Sequence, residues 1–311
     1  MSEPASHVEV QPAATVMLVR DSGGSPAPPV TDHHMRRGGS LEVLMLRRHP
    51  ESVFAADAWV FPGGRVDDGD RAGTAIGSGP TDAEASQALG LPSGGLAYWA
   101  AAARECFEEA GILLARHPDT GAWLDTGSEW SAARLARYRR GVHAGTTTLG
   151  AVLEAEGLVL DLSGVHYVSH WITPPGFSTR RFDTRFFVAE VPPDQVASHD
   201  ATETVESVWT PPAEALARGA GGEIHLVIPT IANLEALARF SSAAELVAAA
   251  RSIGSVPVAA PRFRGDPSVP AGVLTPVDPP DPANPPDPAN PPDPANPPDP
   301  ANPPDPDGPE F

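Results

Sequence analysis

Apolar alternation, or a short apolar run bounded by turn residues, marks residues 14–20, 41–47, 164–172, 181–191 and 204–210, which predicts strands there. Within the fourth of these, RFDTRFFV places Phe182, Phe186 and Val188 on one side, a core face. Apolar spacing of three and four predicts helices over residues 96–116, 128–141, 147–156, 229–240 and 242–252. Pro211 and Pro212 ahead of AEALARG fit a short helix that starts on proline and stops at Gly219. Two stretches read as loops: DSGGSPAPPVTDHHMRRGGS, by its turn-forming residues, and the small, polar, glycine-rich run at about 71–95, a length usual for a lid or an insertion. Strands and helices interleave without strict βαβ alternation, so the expected class is α/β (α+β), a mixed sheet flanked by helices.

Composition then divides the chain. From Pro276 to Phe311 the sequence repeats DPANPP, starting at Asp281, Asp287, Asp293 and Asp299. Such a segment has too few apolar side chains to offset its ordering entropy, so a disordered tail is expected. The organisation read here is a flexible N-terminus at 1–11, one domain at 12–263, and a linker with the proline-rich tail at 264–311, a spacer rather than a PxxP ligand.

Charge narrows the partners. The tail carries eight carboxylates and no basic residue, which leaves -11 of the formal -19 for residues 1–275. An acidic body argues against a nucleic-acid polymer as partner and leaves room for a small anionic substrate neutralised by metal. All 21 basic residues are arginine, which excludes Schiff-base chemistry and a P-loop lysine. The single cysteine, Cys106, forms no disulfide within the chain, and no run of about 18 apolar residues or signal-like start is present. A cytoplasmic protein with no membrane partner is expected, and a homodimer is compatible with the reading.

Candidate chemistry concentrates in RECFEEAG, residues 104–111. On a helix, Glu105, Glu108 and Glu109 sit at offsets of three and four and share a face, where like charges repel by about 0.2–0.5 kcal/mol per pair unless arginines or a cation compensate. Cys106, Ile112 and Leu113, with Ala102 and Trp99, mark the opposite, buried face, where Cys106 reads as a small core hydrophobe. Taken alone, the glutamates also fit a solvated helix face. Upstream, VFPGGRVDDGD starts like a strand and then pairs glycines, which let backbone approach a ligand; a carbonyl there joins the carboxylates as oxygen donors to a hard cation.

These residues resemble the Nudix box, in which G, five residues, E and seven residues precede REUxEExGU, with U apolar. Arg104, Glu105, Cys106, Glu108, Glu109, Gly111 and Ile112 fill the second half; Gly64 and Asp70 fill the first, with Asp in place of Glu. Asp70 and Arg104 are separated by 33 residues instead of seven, an inserted box similar to that of the peroxisomal coenzyme A diphosphatases. WVFPGG, HWITPP, RRFDTRFFVA and ETVESVWTPPAEAL extend the likeness over roughly 12–260. The resemblance implies a Nudix α/β/α sandwich and divalent-metal-dependent hydrolysis of a nucleoside diphosphate derivative, with CoA or acyl-CoA preferred. ADP-ribose or NADH pyrophosphatase activity, or a binding module without catalysis, are the alternatives.

It further implies that Glu105, Glu108 and Glu109, with the Gly63 carbonyl, hold Mg²⁺ or Mn²⁺, and that Arg104 orients a box carboxylate. Asp70 either supplies the family's contact from loop to Arg104 over a shorter reach, or Arg104 pairs elsewhere. Glu105 is the first candidate for general base. A loop carboxylate is the other, Glu203 ahead of Glu206 and Asp200. For substrate, Arg47 and Arg181 are candidate phosphate contacts from the pairs Arg36-Arg37, Arg47-Arg48 and Arg180-Arg181, and Trp171 is a candidate adenine platform.

Overall fold

The computed structural model describes residues 8–23, 40–52, 55–71, 76–126, 130, 132–175, 179–200 and 202–260. Residues 1–7 of the N-terminus expected to be flexible, most of the first loop, and the expected linker and tail lie outside the described residues, whereas Val10 and Gln11, also expected to be flexible, begin the first strand.

In chain order the elements are β1 (Val10–Asp21), β2 (Leu41–Arg48), β3 (Ala58–Val60), β4 (Gly63–Arg65), α1 (Asp68–Arg71), β5 (Ile76–Ser78), α2 (Asp82–Leu89), α3 (Leu96–Ala110) and β6 (Ala115–Arg116). They continue with α4 (Ala132–His143), α5 (Leu149–Glu156), β7 (Val159–Asp161), β8 (His166–Ile172), β9 (Arg181–Glu190) and β10 (Thr204–Thr210). Last come α6 (Pro212–Ala220), β11 (His225–Leu226), α7 (Ile228–Leu237), α8 (Ala243–Arg251) and β12 (Val258–Ala259).

Among the described residues nine strands join one mixed sheet in the order β11-β3-β2-β1-β9-β8-β12, with β10 on β2 and β4 on β1. β1 runs parallel to β9 over ten residue pairs, from Val10 opposite Arg181 to Val19 opposite Glu190, and antiparallel to β2 and β4. The period of two read from the sequence becomes two cores. Ala14, Val16 and Leu18 of β1 face one side with Leu44 and Leu46 of β2, under α2, α3 and α5. Met17 and Val19 face the other with Val43 and Met45, under α7 and α8. Both faces are therefore covered by helices, and the layers are α/β/α.

Three expectations change. The stretch at 71–95 is not a featureless loop: β5 pairs in parallel with β7, and α2 begins at a capping box in which the Thr81 side chain accepts from Glu84 N while Glu84 accepts from Thr81 N. The long helix expected over 96–116 stops at Ala110, because Gly111 adopts φ 70°, a left-handed cap. Ile112 and Leu113 are buried as expected, but beyond the helix. On β9, Phe186 and Val188 enter the second core, whereas Phe182 lines a cavity.

Candidate active site

The acidic helix is buried on every side near its end. Cys106 and Phe107 are fully buried in the core, yet Glu105, Glu108 and Glu109 are themselves only 8%, 8% and 3% exposed. These glutamates do not form a solvated face. Burial pushes the Cys106 thiol well above its usual range, which suits a core residue and not a nucleophile.

Each terminal carbonyl of α3 has a donor. Ile112 N reaches Cys106 O at 3.4 Å, Gly111 N reaches Phe107 O at 3.1 Å, and Ser198 N reaches Ala110 O at 2.9 Å. The carbonyls between them, of Glu108 and Glu109, accept from the buried guanidinium of Arg139 on α4, through Nη2 at 2.9 and 3.0 Å and through Nε to Glu108 at 3.1 Å. Arg139 also donates to Ser198 Oγ and O, at 3.0 and 2.9 Å. A cation at a helix C-terminus satisfies both the orphan carbonyls and the macrodipole. It holds the backbone that carries two of the glutamates to the loop that leads toward Glu203.

Arg104 gathers the rest. Its Nε and Nη2 meet both oxygens of Asp70 at 2.9 and 3.0 Å, its Nη1 meets Glu105 at 2.7 Å and Glu108 at 2.8 Å, and Nη2 donates to Arg65 O at 2.7 Å. Asp70 therefore supplies the contact from loop to helix, and the short helix α1, placed just after the glycine strand, makes up for the shorter side chain. Burial opposes the charge on Arg104, but Glu105 and Asp70 hold it charged well above the usual arginine range.

The glycine pair closes the other wall. Gly63 N donates to Glu109 Oε2 at 3.0 Å. A side chain at Gly63 would meet Thr15 Oγ1 at 2.4 Å and Ala14 O at 2.8 Å, and one at Gly64 would meet Glu105 Oε1 at 2.3 Å. Close approach, not an unusual φ, requires both glycines.

Arg104 compensates these carboxylates only in part. Burial, with the charges of Glu108 and Glu203 added, pushes Glu105 up to about 8 against the pull of Arg104. Burial and then Glu105 raise Glu109 well above the carboxylate range, opposed by the Gly63 amide and Arg48. Glu108 is raised by burial, with Arg104 and His143 opposing; His143 Nδ1 stands 3.8 Å from Glu108 Oε2. Glu109 Oε1 is buried and has no hydrogen-bond partner among the described residues. An orphaned buried carboxylate oxygen beside two more carboxylates, all of them hard oxygen donors, fits a divalent cation. Among the described residues no three His, Cys, Asp or Glu side chains are already drawn into a cation cage; Arg104 Nη1 stands between Glu105 and Glu108.

A cavity of about 1340 Å³ opens from this cluster. Its charged end carries Arg48, Gly63, Gly64, Arg65, Arg104, Glu105, Glu108, Glu109, His143 and Glu203. The remainder is mixed: aromatic and aliphatic side chains such as Phe61, Trp171, Phe182, Phe186 and Ile231 alternate with polar and charged ones such as Glu51, Asp67, Thr173, Arg180 and His225.

Of the loop carboxylates, exposed Glu203 lines the cavity. Asp200 accepts from Glu203 N at 3.0 Å and from Thr204 N at 2.9 Å; burial works against its charge, but these donors hold it below the usual range, a brace for the turn. Glu206 pairs with Arg47 at 3.5 Å. Trp171 lines the cavity, with Nε1 bound to Ser169 Oγ at 3.0 Å. Arg47 and Arg181 do not line it: Arg47 pairs with Asp57 at 2.7 Å, and Arg181 Nε donates to Thr173 O at 2.9 Å. Their neighbours Arg48 and Arg180 do. Successive strand residues point to opposite faces, so choosing within an arginine pair requires the register. Sequence reasoning also passed over Arg139, which stands near the end of the helix expected over 128–141, and His143, which lies beyond that expected end but in the last turn of α4.

An acidic helix held to a glycine strand across an α/β/α sandwich defines a Nudix-type protein. The family model described as the NUDT19 Nudix domain matches residues 80–237, and the chain belongs to that family. It is 33% identical over 239 residues to the acyl-coenzyme A diphosphatase NUDT19 of Gallus gallus, covering 66% of this chain and 63% of that protein. To the Homo sapiens protein of the same name it is 29% identical over 240 residues, with 66% and 63% covered. The chain thus spans a little under two thirds of the length of these relatives. Among solved structures, a NUDIX hydrolase from Alicyclobacillus acidocaldarius superposes with a TM-score of 0.60 at 27% identity, covering 78% of this chain and 97% of that one.

Proposed function

We propose that this chain hydrolyses the diphosphate linkage of coenzyme A or an acyl-CoA with the help of Mg²⁺ or Mn²⁺. The observation that carries the reading is the cavity itself: buried carboxylates that Arg104 compensates only in part share one large cavity with Arg48, Arg180 and the rings of Phe61, Trp171, Phe182 and Phe186. At about 1340 Å³ it exceeds the roughly 300–1,000 Å³ of an ordinary small-ligand pocket, as an extended nucleotide requires. The activity for which the relatives are named supports the same substrate class.

Glu105, Glu108 and Glu109, with the Gly63 carbonyl, would hold the cation; oxygen-only donors favour Mg²⁺ or Mn²⁺ over zinc. When bound, the cation neutralises phosphate charge as the linkage breaks. Arg104 keeps Glu105 and Glu108 in place. Glu105, in the cavity beside Arg104 and Glu108, is the first candidate to take the proton of the attacking water, and Glu203 at the rim is the second. The acidic surface and the buried lone cysteine favour a cytoplasmic setting over a nucleic-acid or disulfide-forming one; among the described residues no helix is long and apolar enough to cross a membrane.

The test is a panel of CoA, acyl-CoA, ADP-ribose and NADH with Mg²⁺ or Mn²⁺, products identified by mass, for the wild type and Glu108→Gln. CoA derivatives should be cleaved at the diphosphate. Loss of a group that merely supports a metal ligand lowers activity by about 10–100-fold, so Glu108→Gln should lose more than about 100-fold while unfolding normally. Preference for ADP-ribose or NADH would overturn the substrate, and near-normal turnover by Glu108→Gln would overturn the ligand assignment. No turnover of the panel by folded, cation-bound wild type would favour a binding module.

A further inference from the structure

We infer that Arg48 grips a phosphate group of the substrate and is a catalytic contact of this site, an inference that rests on the diphosphatase reading above. Arg48 ends β2, opposite Thr204 of β10, and the next residue, His49, donates its amide to Glu203 O at 2.8 Å. The strand register thus sets Arg48 beside Glu203, in the wall of the cavity that also holds Glu105, Glu108 and Glu109.

The other arginines of that wall are engaged. Arg104 is shared among Asp70, Glu105 and Glu108; Arg65 lies 3.3 Å from Gln11 Oε1 and 3.5 Å from Asp67; Arg180 has an interaction of its own. Arg47, one residue earlier on the opposite face, is taken by Asp57 and Glu206. The Arg48 side chain makes no hydrogen bond or ion pair with any described residue, and its Nε is buried without an acceptor among them. Across the same cavity, Glu109 Oε1 is a buried acceptor without a donor.

Both orphans are expensive in a folded protein and call for an explanation beyond packing. An orphaned guanidinium donor calls for an anion, and an orphaned carboxylate calls for a cation. A diphosphate that arrives with its divalent ion brings both to one place. A planar fork of donors also suits phosphate oxygens better than a point charge does.

The alternative is that Arg48 merely balances Glu109, whose charge it feels. In that case its removal would disturb stability rather than phosphate recognition.

The test compares wild-type full-length protein with Arg48→Gln and Arg48→Lys in three measurements: kcat and KM for CoA with Mg²⁺, ADP binding by calorimetry with Mg²⁺, and thermal unfolding. Loss of one preorganised donor to developing charge costs about 100-fold or more, so kcat/KM of Arg48→Gln should fall by about 100-fold. Its ADP affinity should fall about ten-fold, Arg48→Lys should recover part of both losses, and Tm should hold. Turnover and ADP affinity within two-fold of wild type would overturn the inference. So would losses that track a fall in Tm, or a wild type that binds no ADP. A wild type that binds ADP through Arg48 yet cleaves no CoA derivative would remove the proposed substrate and leave Arg48 as a phosphate contact.

Discussion

Replacing Asp70 with Asn removes one charge and keeps nearly the same shape. In the wild type, Arg104 and Asp70 form a two-pronged pair whose side chains are only 12% and 4% exposed. Removing one partner of a buried pair destabilises by about 3–5 kcal/mol, because the remaining charge is left in a poor solvent. Arg104 keeps Glu105, Glu108 and the Arg65 carbonyl, which places the loss near the lower bound, about 3 kcal/mol. For a domain of this size, that is a fall in Tm of about 6–12 °C. Denaturant titration of wild type and Asp70→Asn, with EDTA present, measures the difference directly. Repeating it at high salt tests burial, since a screened surface pair would lose its difference and this one should retain it. A loss below about 1 kcal/mol would refute the reasoning, showing the pair to behave like an exposed one.

The glycine pair should separate fold from function. Gly63→Ala would press Cβ against Ala14 O and Thr15 Cα, backbone that cannot yield, and should cost about 1–3 kcal/mol in denaturant titration. Gly64→Ala would instead displace the Glu105 carboxylate, so its Mg²⁺ affinity by calorimetry should drop further than its stability; equal losses in both variants would contradict this. In EDTA, Glu105 binds its proton more tightly folded than unfolded, so its contribution is fully present below about pH 4.5 and is lost as pH rises through about 8. Tm should therefore decline across that window and Mg²⁺ should restore it; a flat or rising profile would reject the incomplete compensation of Glu105 by Arg104.

How far the molecule was readable in advance differs from part to part, and for physical reasons. The glutamate helix and the long strands announce themselves because burial enforces a period, and the two sides of β1 separate cleanly into two cores. The end of α3 carried a signal in Gly111, outweighed by the apolar ILLA that follows, which continues into core without continuing the helix. Likewise TDAE at residues 81–84 is a capping box inside a glycine-rich stretch, and composition hid it. Two-residue and three-residue strands such as β4 and β6 have no period to detect. Arg48 in place of Arg47, and the role of Arg139, depend on which face a side chain leaves and on partners far along the chain.

One pairing also sets a clock. One edge of β1 meets β4 and β2, both within the following residues, whereas its other edge is reserved for β9 through Val10 opposite Arg181, 171 positions later. At about 5–20 residues per second of synthesis, that edge waits roughly ten to thirty seconds for its partner. During that wait a strand bearing Val16, Met17, Leu18 and Val19 presents open backbone to other chains, the situation that favours mispairing. The sheet that supports the glycine wall of the site is completed late, so slower synthesis or crowding of nascent chains should reduce the yield of active protein before any catalytic residue is touched.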